Sequence, residues 1–256
     1  MNHLNGRIIP VLLHDKRGLI KTREFQNPVY IGDPINAIRI FNEKFVDELV
    51  FLDIGKTRDQ LGPDLSLLSK IAEECFMPLG YGGGIRDLND AKALFSCGIE
   101  KVILQSAALK NLGVIKEIAD FAGSQSISIS LDFKRNSEGR YELFSRDKKI
   151  YKGIEIEKLL TEVEKHGAGE VIITSVDHEG SMCGYDLNLI QKIRSLISIP
   201  IIANGGAGKL SDFHEAFEAG ADAAAAGSMF VFIGQLRGVL INYPTYRDQE
   251  FQEYAK

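Results

Sequence analysis

Pro200–Ser228, PIIANGGAGKLSDFHEAFEAGADAAAAGS, is the stretch from which the rest of the chain can be read. A short apolar run, Ile201 to Ala203, ends in Asn204-Gly205-Gly206, and a helical pattern then sets Phe213, Ala216 and Phe217 on one face. Gly220 stops that helix, a small-residue strand follows from Asp222 to Ala226, and Gly227-Ser228 opens a second turn. Two glycine turns therefore fall at the carboxyl ends of neighbouring parallel strands. Backbone N–H groups freed by such turns, next to the positive ends of helix dipoles, make a seat for a phosphate dianion. Glycines that merely permit tight connections would look the same, so one such turn decides nothing.

The stretch occurs twice. Subtracting 122 from Gly205, Gly206, Leu210, Asp212, Phe217, Gly220 and Ser228 gives Gly83, Gly84, Leu88, Asp90, Phe95, Gly98 and Ser106. The same shift carries Glu170 of GEVIIT onto Glu48 of DELVFL, each at the head of an apolar strand. A doubled half of this length predicts an α/β fold, a closed (β/α)8 TIM barrel built from two similar half-barrels. Two opposed phosphate seats suit a ligand phosphorylated at both ends.

Size and composition fit that architecture. With 256 residues, 45% of them hydrophobic, the chain matches one barrel, so a single domain over residues 1–256 is expected. A net charge of −5 argues against a nucleic-acid partner. No apolar run approaches the ~20 residues of a membrane span, and MNHLNGRIIP lacks the basic and long apolar regions of a signal peptide. A cytoplasmic location without membrane attachment is the expectation. Cys75, Cys97 and Cys183 show no metal-ligand spacing, and neither a disulfide, a metal nor a cofactor is indicated.

In chain order, Arg7 to Leu13 (RIIPVLL) reads as the first strand, fully apolar because it is covered on both sides. Residues 14–33, which include Lys21, form a long loop that is either a lid over the active face or an inert hairpin. Asp33 and Pro34 begin the first helix. Asp132 closes the strand SISISLD at the end where barrel enzymes do their chemistry, which makes it a catalytic candidate. Lys134-Arg135 follow, placed to pair with Asp132 or to reach a phosphate; a structural salt bridge is the plainer reading. Residues 136–152 read as a hairpin excursion. The loop from Asp177 to Asp186 is placed to fold over substrate, and its His178 has no partner visible in the sequence. A last helix is predicted from about Gly234 to Asn242, followed by a polar tail.

Taken together, RIIPVLL, VDELVFLDI, GYGGGIRD, SLDFKR, HGAGEVIITSVDHEG and IIANGGAGK resemble the HisF family, the cyclase subunits of imidazole glycerol phosphate synthase, from Arg7 to about Phe232. The resemblance implies a barrel that takes ammonia from a HisH-like glutaminase through its centre and uses it at the other mouth on a substrate with two phosphates. By motif, Gly83, Gly84 and Ser106 would form one phosphate seat, and Gly205, Gly206, Gly227 and Ser228 the other. Lys21 matches the family's loop lysine. Arg7, Glu48, Lys101 and Glu170 match its charged ring at the ammonia entrance, each near a strand start.

One position departs from the family. Its paired catalytic aspartates lie at the ends of strands one and five; the second is Asp132, but the first position holds Leu13. Leucine cannot move a proton, so ordinary cyclase chemistry should be weak. His14 should face away from the lumen and Asp15 belongs to the loop. The start IPVLL and the run IGDPINAIRIFNEKFVDELVFLDI are similar to HisF-like paralogues of surface-polysaccharide sugar modification, in which the barrel supplies ammonia to an N-acetyl sugar amidotransferase. That reading ranks first, a standard cyclase of histidine biosynthesis second, and a regulatory module binding a phosphorylated metabolite third.

Overall fold

The computed structural model describes residues 6–59, 61–145, 149–151, 153–234 and 236–243. Strand β1 (Arg7–Asp15) runs up the barrel and continues into the antiparallel hairpin β2 (Gly18–Arg23) and β3 (Gln26–Gly32). Helix α1 (Pro34–Glu43) leads to β4 (Leu49–Asp53), followed by the short α2 (Ile54–Arg58) and by α3 (Leu65–Glu74). Next come β5 (Leu79–Gly82), α4 (Leu88–Ser96), β6 (Lys101–Leu104), α5 (Ser106–Lys110) and α6 (Gly113–Ala122). Strand β7 (Ile127–Arg135) carries an antiparallel excursion of β8 (Tyr141–Ser145) and β9 (Lys149–Ile150). The second half continues with α7 (Ile156–Lys165), β10 (Glu170–Ser175), α8 (Leu187–Arg194), β11 (Ile201–Asn204), α9 (Leu210–Glu218) and β12 (Ala223–Ala226).

Eight parallel strands close on themselves in the order β1, β4, β5, β6, β7, β10, β11, β12, with β12 returning to β1, so the fold is a (β/α)8 barrel. The 122-residue repeat holds in register. Strands β5 and β6 and helix α4 reappear, residue for residue, as β11, β12 and α9. The aspartate at the third position of each helix repeats its role as well: the Asp90 carboxylate accepts the Arg86 N–H at 2.9 Å, and the Asp212 carboxylate accepts the Gly208 N–H at 2.7 Å.

Strand alternation divides the core in two. Ile9 and Val11 of β1 point into the lumen with Val50, Ile103, Ile172, Ile202, Ala223 and Ala225, while Ile8 and Leu12 pack outward against the helices. Burying an Ile or Leu side chain in either layer stabilises by about 1.5–3 kcal/mol.

Two local expectations are corrected. Strand β1 continues through His14 to Asp15, because these residues pair with Leu19 and Gly18 of β2, so Asp15 is a strand residue. No helix spans 234–242 among the described residues. A small hairpin of β13 (Phe232–Ile233) and β14 (Gly238–Val239) takes its place. Gly234 and Arg237 have φ of 69° and 52°, and a helix cannot pass through left-handed residues. The polar tail, from residue 244 on, lies outside the described residues. Among the described residues no helix is long and apolar enough to cross a membrane.

Candidate functional site

The carboxyl ends of the barrel strands surround a cavity of about 700 Å³. Both glycine turns face it: Gly83, Gly84 and Ser106 on one side, Gly205, Gly206, Gly227 and Ser228 on the other. The paired glycines are left-handed in both halves, with φ of 133° and 68° at Gly83 and Gly84, and 88° and 116° at Gly205 and Gly206. Space forbids side chains there as firmly as backbone geometry does. A Cβ on Gly83 would lie 2.3 Å from the Asp53 carbonyl oxygen, and one on Gly206 2.0 Å from that of Gly184. These turns are therefore bare backbone presented to the cavity, as anion seats require.

Asp132 lines the same cavity and is buried. Gln105, the residue after β6, donates its Nε2–H to Asp132 Oδ2 at 2.6 Å and so fixes one carboxylate oxygen. Leu13 lines the cavity wall from β1. The carboxylates near it are otherwise engaged. Asp15 is buried and bonded to Arg17; burial alone would raise its pKa, but the Arg17 bonds and charge outweigh it and hold the value below the usual range. Asp53 caps α2 through Oδ1 and meets His14 Nδ1 at 3.2 Å through Oδ2.

Lys21 enters from β2, fully buried, and donates to the Val11 carbonyl oxygen at 2.5 Å. Its Nζ lies where a Cβ on Gly227 would be only 2.5 Å away, so the amine sits against the second glycine seat. Burial lowers its pKa to about 8, against a smaller opposing pull from Glu179. Glu179 also holds the hairpin down. Its Oε1 accepts the Thr22 hydroxyl at 2.8 Å, its Oε2 accepts the Phe25 N–H at 2.9 Å, and its carbonyl accepts the Glu24 N–H at 3.0 Å. Segment 14–33 is thus a hairpin clamped at the mouth, with Lys21, Thr22 and Phe25 on the cavity.

Lys134 and Arg135 serve neither Asp132 nor the cavity. Lys134 lies over the Phe144 ring at 5.4 Å, and Arg135 bonds Asp186 and Tyr141, fastening the excursion to the start of α8. Strand alternation keeps Lys134 on the face of Asp132, but the Phe144 ring of the excursion takes its amine, while Arg135 turns to the other face and meets Asp186. His178 bonds the Gly184 carbonyl oxygen at 2.8 Å through Nδ1 and so braces its own loop.

At the opposite end the four predicted ring residues do meet. Arg7 bonds Glu48 at 2.5 Å and Glu170 at 2.7 Å, and Lys101 bonds the same two carboxylates at 2.7 Å each. Charges alternate around a closed circuit of Arg7, Lys101 and Glu170 at the starts of three strands and Glu48 just before a fourth. Ser128, unremarked in the sequence, donates to Glu170 Oε1 at 2.5 Å from a fully buried position. Burial would raise the Glu170 pKa, yet Lys101, Ser128 and Arg7 hold it below the usual carboxylate range. The cavity reaches down to Val11, Val50, Ile103, Ile172 and Ile202, while Ile9 and Ala223 are fully buried. All four ion pairs of the ring are made, and the residues lining the cavity stop short of it. Opposite charges facing one another across a narrow floor close on each other.

Fold and site define a duplicated (β/α)8 barrel with two glycine turns on one mouth and a closed charged ring on the other. Among known proteins this class has a clear counterpart. The chain belongs to the histidine biosynthesis protein family, whose profile matches residues 7–237. It is 45% identical over 249 residues to a Leptospira interrogans protein named "Putative imidazole glycerol phosphate synthase subunit HisF", covering 96% of this chain and 98% of the relative. A Pseudomonas aeruginosa protein named "Putative imidazole glycerol phosphate synthase subunit hisF2" is 47% identical over 243 residues, covering 93% and 95%. The imidazole glycerol phosphate synthase subunit HisF of Thermotoga sp. (strain RQ2) is 41% identical over 229 residues, 90% of each chain. The chain is a HisF-like imidazole glycerol phosphate synthase subunit.

Proposed function

We propose that this chain is the ammonia-receiving barrel of a glutamine amidotransferase complex whose acceptor is not the histidine-pathway substrate. In this reading a HisH-like glutaminase docks on the base and ammonia enters when the Arg7, Glu48, Lys101 and Glu170 ring opens. It leaves at the mouth for amidation of an acetamido sugar in surface-polysaccharide (lipopolysaccharide O-antigen) biosynthesis. An N-acetyl sugar amidotransferase would activate that acceptor. The complex would work in the cytoplasm, with the whole chain acting as one domain.

The observation that carries this reading is the pairing of a complete ring with Leu13 at the mouth. Nitrogen delivery needs only the ring and the lumen, whereas a paired acid/base mechanism needs a second proton carrier that Leu13 cannot supply. Asp132, oriented by Gln105, would remain as a single acid or base. Lys21 and the two glycine seats would hold the phosphate groups of a nucleotide or sugar phosphate.

The test uses amide-15N glutamine, the glutaminase, the amidotransferase and an acetamido sugar nucleotide in excess unlabelled ammonium. Retention of 15N in the amidino product, lost with Lys101→Glu, is the expected result. Label diluted to the bulk ratio would reject delivery through the barrel.

The standard cyclase is the second reading, favoured by the names of the relatives and by the retained Asp132 and Lys21. Brisk cyclisation by the wild-type chain with ammonium salt would favour it.

A further inference from the structure

Three helices of this barrel end alike. Helices α4, α7 and α9 are followed by one right-handed residue and then by Gly98, Gly167 or Gly220, with φ of 93°, 95° and 106°. Each glycine N–H donates to the carbonyl three residues back, on Phe95, Glu164 and Phe217 respectively. This is the left-handed helix stop for which glycine is the favoured residue. Helix α1 ends with the same geometry, its Phe45 N–H donating to the Asn42 carbonyl, but the left-handed residue is Phe45 at φ 54°. The internal repeat makes the contrast sharper, because Phe45 occupies the place of Gly167 at an offset of 122.

A left-handed phenylalanine costs about 1–2 kcal/mol relative to glycine, and burying the ring could offset that. Here it does not, for Phe45 is 84% exposed. A second aromatic stands beside it: Phe76, after α3, is also 84% exposed. Asn42 brackets the pair. Its carbonyl accepts from Phe45 N–H, its Oδ1 accepts the Phe76 N–H at 3.1 Å, and its Nδ2 donates to the Glu74 carbonyl oxygen at 2.6 Å. Phe76 too replaces a small residue of the repeat, Ser198. Both rings therefore lie at the helix-to-strand turns that precede β4 and β5, on the base of the barrel. Phe45 is three residues from Glu48 of the charged ring.

Strain kept at an exposed aromatic, with a hydrogen-bonded bracket holding a second ring next to it, is a cost without return in the isolated chain. We infer that Phe45 and Phe76 form an aromatic anchor for the glutaminase subunit at the rim of the charged entrance. The occupant follows from position: a subunit that seals its ammonia outlet over the ring must cover the adjoining turns, and exposed phenylalanines are the residues enriched where protein partners meet. The inference rests on the proposed docking of a glutaminase at the base, and adds to it which residues give that docking its hold.

The test is Phe45→Gly with Phe76→Ser, the residues that the second half of the chain uses at the same places. Each HisH-type glutaminase of the source organism is purified and titrated by calorimetry against wild type, the double variant and Lys101→Glu. The expected result is at least about a 30-fold loss of affinity for the glutaminase that binds wild type, as for central interface aromatics. The unfolding midpoint of the double variant alone should hold or rise by about 2–4 °C, since strain has been removed. Unchanged affinity in the double variant, with binding lost in Lys101→Glu, overturns the anchor and leaves the docking reading standing. If wild type binds none of these glutaminases, the docking reading fails and the anchor with it. Wild-type self-association that the double variant abolishes would assign the surface to a second copy of this chain and likewise reject the inference.

Discussion

Replacing Lys101 with methionine removes the cation shared by Glu48 and Glu170 while keeping most of the apolar stem. Both carboxylates are 2.7 Å from Lys101 Nζ, and their side chains are only 4% and 7% exposed. Without it, two buried anions share Arg7 alone, whose side chain is 38% exposed. Leaving a buried charge without its partner costs about 3–5 kcal/mol, which in a chain of this size lowers the unfolding midpoint by roughly 10 °C. The pH dependence gives an independent check. Glu170 has a folded pKa below its ordinary 4.5. Its contribution to stability is therefore present above that ordinary value and lost as pH falls through the folded one. Lys101→Met removes most of that contribution, so wild type loses more on acidification and the two proteins converge. Urea unfolding of both at pH 7 and pH 4 reads the difference, and adding Glu170→Gln should recover part of the loss at pH 7. A deficit below about 1 kcal/mol at pH 7, or one of equal size at both pH values, would refute a closed, buried ring.

Gly206→Ala should cost at least about 2 kcal/mol and abolish phosphate binding at the second seat, measured by unfolding and by phosphorus NMR titration, because its methyl meets the Gly184 carbonyl oxygen at 2.0 Å. Lys21, held near 8 against an ordinary 10.5, carries a buried charge at neutral pH that the folded protein sheds as pH rises through about 8, whereas the unfolded chain keeps it up to about 10.5. Wild type should therefore gain about 3 kcal/mol on Lys21→Met between pH 7 and 10.5, and unfolding curves that stay parallel would contradict this. Glu179→Gln should loosen the hairpin, seen as faster amide exchange at Glu24 and Phe25, with little change at the base ring.

The barrel was legible because repetition fixes register. Gly83, Gly84 and Gly98 repeat at 122 together with Asp90, and the backbone roles of glycine and of a capping carboxylate allow few alternatives. The base ring followed from motif and position at strand starts. Gln105, Glu179 and Ser128 escaped notice because their roles depend on partners 27, 157 and 42 residues away, which no local pattern announces. Arg135 was misplaced for the same reason: proximity to Asp132 in sequence says less than the direction of a strand side chain. The stretch 234–242 has an apolar content that suits a helix, but left-handed Gly234 and Arg237 bend it into a hairpin. Phe45 reads as an ordinary residue until its backbone angle is known.

The role of Leu13 is most directly tested by cyclase turnover with ammonium salt and the two-phosphate substrate, comparing wild type with Leu13→Asp. A gain of roughly 10²–10⁴ on restoring the acid, from a wild-type rate close to background, is the predicted result. Rapid cyclisation by the leucine-bearing chain, or no gain from the aspartate, would contradict it.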